Sequence, residues 1–189
     1  MPVLTIFAGP NGSGKSSIIA RVDFVGRERL LEADAVGGRI HRSYPWLASM
    51  AAGREVLRRT QEYLGSGQDF AIETTLSGRW TTNAVNRALA RGFFVRLVYI
   101  CLDNAEQCIR RVQERVAQGG HNVPNEDVRR RYSRSLSNLK QVMHVASETL
   151  IYDNSGPEPA LILEIRSGQV VSRASDIPPW ACNLFQGSN

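Results

Sequence analysis

Near its amino terminus the chain reads Gly9-Pro10-Asn11-Gly12-Ser13-Gly14-Lys15-Ser16, with Ser17 behind it. Few short patterns restrict a fold as tightly, because G-x-x-x-x-G-K-S has meaning only between a buried strand and a helix. Both flanks are present. The apolar run Val3 to Ala8 reads as a strand, and Ile18, Ile19 and Val22 fall on one side of a helix that follows. Glycines in such a loop let backbone N–H groups turn inward around a phosphate, and a helix opening near Gly14 adds its positive end. Lys15 is placed to reach the β- and γ-phosphates and the Ser16 hydroxyl to sit on Mg²⁺. Gly9 through Ser17 are therefore the expected binding residues for ATP and its metal.

Downstream, strand-like and helix-like stretches alternate. Arg29 to Asp34 is a short strand ending in acid, and a helical pattern runs from Trp46 to Leu64 until Gly65-Ser66-Gly67 stops it. Phe70-Ala71-Ile72 leads into Glu73, another strand ending in a carboxylate, and a helix spans about Trp80 to Arg91. Phe93 to Leu102 is almost continuously apolar, as a strand buried on both faces of a parallel sheet must be. Two helices follow, with stripes of Ala105, Cys108, Ile109, Val112, Val116 and of Val128, Tyr132, Leu136, Leu139, Met143. Thr149 to Asp153 is the fifth strand, and Leu161 to Arg166 with Gln169 to Ser172 read as a hairpin across Ser167-Gly168. The expectation is an α/β fold, a five-stranded parallel sheet flanked by helices with a small C-terminal β-hairpin. One domain is expected over 1–175, with a lid at about 104–147 and a tail from 176 to 189.

In a parallel sheet ligands sit at the carboxyl ends of the strands. The loop, Asp34 and Glu73 all occupy such ends. Asp34 suits the role of base that accepts a proton from an attacking hydroxyl, and equally that of a helix cap or loop acid. Glu73 reads either as a Walker B-like acid that holds Mg²⁺ through water or as a ligand for an acceptor's hydroxyls, with Thr74, Thr75 and Arg79 beside it. Arg111, Arg115 and Gln118 share the polar side of one helix, and Arg130, Arg131 and Arg134 that of the next. Joined by Gly119-Gly120, these helices suggest an arginine-lined lid closing over triphosphate, with Arg115, Arg130 and Arg134 acting in catalysis beside Lys15 and Asp34. For any one arginine, a solvated helix face is the simpler reading. His121 in the lid loop is ambiguous, while His41 and His144 read as structural.

Composition excludes more than it identifies. No apolar run reaches membrane-span length, and three cysteines without metal spacing (Cys101, Cys108, Cys182) suit a reducing, cytoplasmic setting. The net charge is +5, and only Lys15 and Lys140 among the 23 basic residues are lysines. No interleaving of aromatic and basic residues suggests a nucleic-acid surface.

Beyond the loop, the combination of Glu32-Ala33-Asp34, Ile72-Glu73-Thr74-Thr75-Leu76-Ser77-Gly78, Arg115 to Pro124, Arg129 to Leu139 and Tyr152-Asp153-Asn154-Ser155-Gly156 resembles the zeta-toxin-like P-loop kinases, in their compact bacterial branch. The resemblance covers about residues 3 to 156. It implies an adenylate-kinase-like core, Asp34 as the base that activates a sugar hydroxyl, Glu73 at the acceptor site, and an antitoxin partner. In zeta toxins the acceptor is UDP-N-acetylglucosamine. One departure stands beside the base: Glu32 occupies a position where the family pattern has Asn. A kinase for another nucleotide, nucleoside or antibiotic acceptor, or a regulatory nucleotide-switch ATPase, remains open.

Overall fold

The computed structural model describes residues 1–32, 45–120, 122–182 and 184, and of residues 45–52 the backbone alone. Asp34, His41, His121 and the last five residues lie outside that description. Strand β1 (Val3–Ala8) is the axis of the sheet, paired in parallel with β3 (Phe70–Thr74) on one side and β4 (Phe94–Cys101) on the other. The described part of β2 (Leu30–Glu32) pairs with β3, and β5 (Glu148–Asp153) with β4, all in parallel.

Burial of both faces explains why β1 and β4 are nearly all apolar, with Thr5 and Arg96 the exceptions. Leu4, Ile6, Leu97 and Tyr99 belong to the main core, whereas Phe7, Val98 and Ile100 form a second cluster. The main core packs α3 (Arg79–Ala90), α4 (Ala105–Ala117) and α5 (Asn125–Val142) through residues such as Val85, Ile109 and Leu139. The second cluster is covered by Ile18 and Ile19 of the short α1 (Lys15–Arg21) and by Phe24. The long helix α2 (Pro45–Ser66) adds Val56 and Leu64 to the main core.

The sheet is larger than the five parallel strands expected. Strands β6 (Ala160–Arg166) and β7 (Gln169–Arg173) extend it antiparallel beyond β5, giving a mixed seven-stranded sheet in the order β2-β3-β1-β4-β5-β6-β7. A hairpin supplies the pairing partner that the exposed edge of β5 would otherwise lack. Its turn is Ser167-Gly168, both with positive φ (48° and 79°), the geometry that matches strand twist in a two-residue connection. The described residues of the expected tail dock as well, with Trp180, Ala181 and Leu184 buried. Helix α6 (Pro179–Cys182) buries Trp180 in the main core, and its indole N–H donates to Asp153 at 3.0 Å. No helix among the described residues is long and apolar enough to cross a membrane.

Candidate nucleotide site

The loop between β1 and α1 is built where only glycine fits. Gly9 has φ 143°, and a Cβ there would lie 1.9 Å from the Ile100 carbonyl oxygen on β4. Gly14 has φ 95°, and a Cβ would lie 2.3 Å from Asn154 Nδ2. The loop is thus pressed against the carboxyl ends of β4 and β5, and side chains would push it away. Asn154 completes the contact by donating to the Ser13 carbonyl at 2.8 Å. Arg111 of α4 in turn donates to the Asn154 carbonyl at 2.9 Å. Ser13 Oγ is buried in the loop with no hydrogen-bond partner among the described residues.

A buried ammonium needs compensation, and Lys15, only 7% exposed, has it. Its Nζ donates to the Gly9 and Pro10 carbonyls at 2.9 and 3.1 Å and lies 3.9 Å from a Glu73 carboxylate oxygen. The Ser16 hydroxyl lies 3.2 and 3.3 Å from the two oxygens of the same carboxylate, to which it donates. Register accounts for the meeting: Glu73 stands opposite Phe7 on β1, close to where the strand runs into the loop. A hydroxyl and a carboxylate together form the hard-oxygen donor set that Mg²⁺ favours.

These residues open onto a cleft of about 860 Å³. One wall is the loop with Asn11, Gly12, Gly14, Lys15 and Ser16. Facing it lie Glu73, Thr74, Thr75, Ser77 and Gly78 at the end of β3, together with Trp80 at the start of α3. Arg111 and Arg115 reach the cleft from α4, and Arg131 from α5. Arg131 donates to the Asn11 side chain at 3.3 Å, linking α5 to the loop.

The structure divides the arginines that share a helix side in sequence. Arg115 lines the cleft; Arg130 and Arg134 do not. Arg130 is half exposed and bound to Asp127, one turn back on α5, at 2.7 Å. One position along a helix is a rotation of about 100°, enough to separate Arg130 from Arg131. Arg79 is exposed at the start of α3, outside the cleft lining. Asn154 was not among the site residues expected from sequence, although it directly follows a core strand, as Thr75 follows β3. Arg111 and Arg131 carried no signal to single them out from their neighbours.

Beneath the loop, burial pushes the Cys108 thiol up to about 12 despite the pull of Lys15 and Arg111. Burial, reinforced by Cys108, does the same to Cys101. Both are neutral packing groups here, not nucleophiles.

The sequence profile of the AAA domain family matches residues 4–139, a span that includes the loop, the β3 wall and both arginine helices. This chain belongs to the AAA domain family. The chain is 32% identical over 127 residues to an uncharacterised protein of Haemophilus influenzae, covering 67% of this chain and 89% of that protein. Its fold resembles that in the AvrRxo1-ORF1:-ORF2 crystal structure with ATP (TM-score 0.74, 15% identity), over 92% of this chain. The chain spans only 60% of the length of that protein. It is also similar to the structure of the PezAT chromosomal toxin-antitoxin system of Streptococcus pneumoniae (TM-score 0.59, 14% identity), over 87% of this chain and 72% of that one. At these identities the likeness is one of fold.

Proposed function

We propose that this AAA domain is an ATP-dependent phosphotransferase that moves the γ-phosphoryl group to a hydroxyl of a small acceptor. The observation that carries the reading is the convergence of Lys15, Ser16 and Glu73 in a cleft whose β3 wall continues into the hydroxyls of Thr74, Thr75 and Ser77. Loop amides and Lys15 would take the β- and γ-phosphates, with Arg111, Arg115 and Arg131 around the same anion. Ser16 and Glu73 would hold Mg²⁺, which when bound supplies further neutralisation of phosphate charge. The Ser16–Glu73 contact favours the metal role for Glu73 over the acceptor role.

The acceptor would lie against Thr74, Thr75 and Ser77. Asp34 is the proposed base: it takes the acceptor's hydroxyl proton as that oxygen bonds to the γ-phosphorus and the bond to the bridging oxygen breaks, leaving ADP. Arginines from α4 and α5 would exclude water, which keeps transfer ahead of hydrolysis. UDP-N-acetylglucosamine heads the acceptor candidates on the strength of the zeta-toxin resemblance. An antitoxin partner is part of the same reading.

The test is transfer of labelled γ-phosphate from ATP with Mg²⁺ to a panel of hydroxyl acceptors, with Asp34→Asn alongside. A labelled product that disappears in the variant is the expected result. Labelled inorganic phosphate alone, unaffected by every acceptor, would favour a nucleotide switch and overturn the kinase reading.

A further inference from the structure

The hydroxyl-rich wall is held in a conformation that its own sequence does not favour. Leu76 has φ 54°, one of two non-glycine residues with positive φ among those described, and it is fully buried in the main core. A γ-branched side chain gains nothing from the left-handed region, so surrounding contacts must hold it there. Two of them account for both backbone polar groups of Leu76. Its N–H donates to Thr74 Oγ1 at 3.1 Å, and Thr74 Oγ1 shares a hydrogen bond with Thr81. Its carbonyl accepts from Asn138 Nδ2 at 2.8 Å, across 62 residues of sequence. This turn, by burying Leu76, leaves Thr75 and Ser77 on the cleft, hydrogen-bonded to each other at 2.8 Å.

Asn138 belongs to α5, the helix whose Arg131 grips Asn11 of the phosphate loop. The two residues are seven apart, about two turns or roughly 10 Å along the axis. Between them α5 is fixed to the sheet: Tyr132 donates to the Leu102 carbonyl at 2.8 Å, and Ser135 shares a hydrogen bond with Tyr99 at 3.0 Å. The helix therefore acts as a strut, with one end on the loop and the other on the opposite wall.

We infer that Asn138 is a positioning residue for the acceptor: through the Leu76 carbonyl it sets the Thr75–Ser77 wall and ties it to the nucleotide end of α5. Its amide touches no reacting atom. Without it the left-handed turn loses its long-range anchor, and the hydroxyls that would receive the acceptor lose their fixed place. The inference rests on the proposed reading only where it assigns the wall to the acceptor.

The variant Asn138→Asp keeps size and removes the donor. Hydrogen exchange in the 189-residue chain without nucleotide reads the tether directly. The segment 74–78 should exchange about tenfold faster in the variant, with peptides over 9–18 unchanged. Unchanged exchange at 74–78, or equal acceleration in both segments, would overturn the inference. The second readout uses whichever acceptor the labelled-phosphate panel identifies. KM for that acceptor should rise about tenfold and KM for ATP stay within about twofold, a split that general destabilisation does not produce. An equal rise in both would also overturn it. If the panel finds no acceptor, the kinase reading fails while the exchange result still decides whether Asn138 holds the wall.

Discussion

The two walls of the cleft are made in different ways. The phosphate loop is local: eight consecutive residues, glycines where β4 and β5 press close, and a lysine folded back onto carbonyls five and six residues away. The opposing wall is assembled at long range, from the end of β3, a strained turn, and an asparagine on α5. A local device can be read as a motif and is broken by single substitutions within it. A long-range one leaves little sequence trace and can be loosened from outside the cleft.

Lys15→Ala breaks the first wall most completely. It removes the buried ammonium that would neutralise the transferring group, and turnover should fall by about 10² or more. Single-turnover transfer measured beside the wild type checks this, and activity within about tenfold of wild type would remove Lys15 from the chemistry. Gly14→Ala attacks the same wall by shape alone. With φ at 95° the new side chain strains the backbone, and with Asn154 Nδ2 2.3 Å from the new Cβ the Asn154 amide must leave the loop or the loop must shift. ATP affinity by calorimetry should weaken by about tenfold or more, alongside a stability loss of about 1–2 kcal/mol. The loop's rigidity would be disproved by unchanged affinity.

A finer comparison runs within α5. Arg131 faces the loop, whereas Arg130, its neighbour, holds Asp127 at the surface. Arg131→Ala should lower transfer by about tenfold, and Arg130→Ala by less than about twofold, since an exposed i, i+3 pair contributes little. Equal effects would mean that the helix turns on binding nucleotide and brings Arg130 to the phosphates.

This contrast also marks what could be read from sequence. The parallel strands were legible because strands buried on both faces are mostly apolar, as Phe94 to Cys101 is apart from Arg96. The loop was legible because phosphate geometry demands glycine at fixed spacing. That the hairpin extends the sheet was not: pairing with β5 depends on where its strands are delivered, and their alternation says only that they are strands. The arginines show a sharper limit. Periodicity separates the polar side of α5 from its apolar stripe, but cannot say which polar position faces a neighbouring loop. Asn138 was invisible for a related reason: a polar residue on a helix reads as solvated until a carbonyl is found opposite it.

The last comparison sets the cleft against the floor beneath it. Lys15 and Arg111 lie near Cys108, yet burial holds that thiol, like Cys101, up at about 12. An unfolded chain ionises its cysteines near pH 9, so between about 9 and 12 the unfolded state binds fewer protons than the folded one and stability must fall as pH rises. For each thiol the loss reaches about 1.4 kcal/mol by pH 10, with none expected below about pH 8. Urea unfolding of wild type and Cys108→Ala at pH 7.5 and pH 10 isolates one thiol. The variant starts less stable, because a buried side chain has been shortened, but should lose about 1.4 kcal/mol less on moving to pH 10. An equal loss in both proteins would mean that the loop's cations reach the thiol and ionise it in place. The floor would then be part of the charged site and not the neutral packing on which the loop rests.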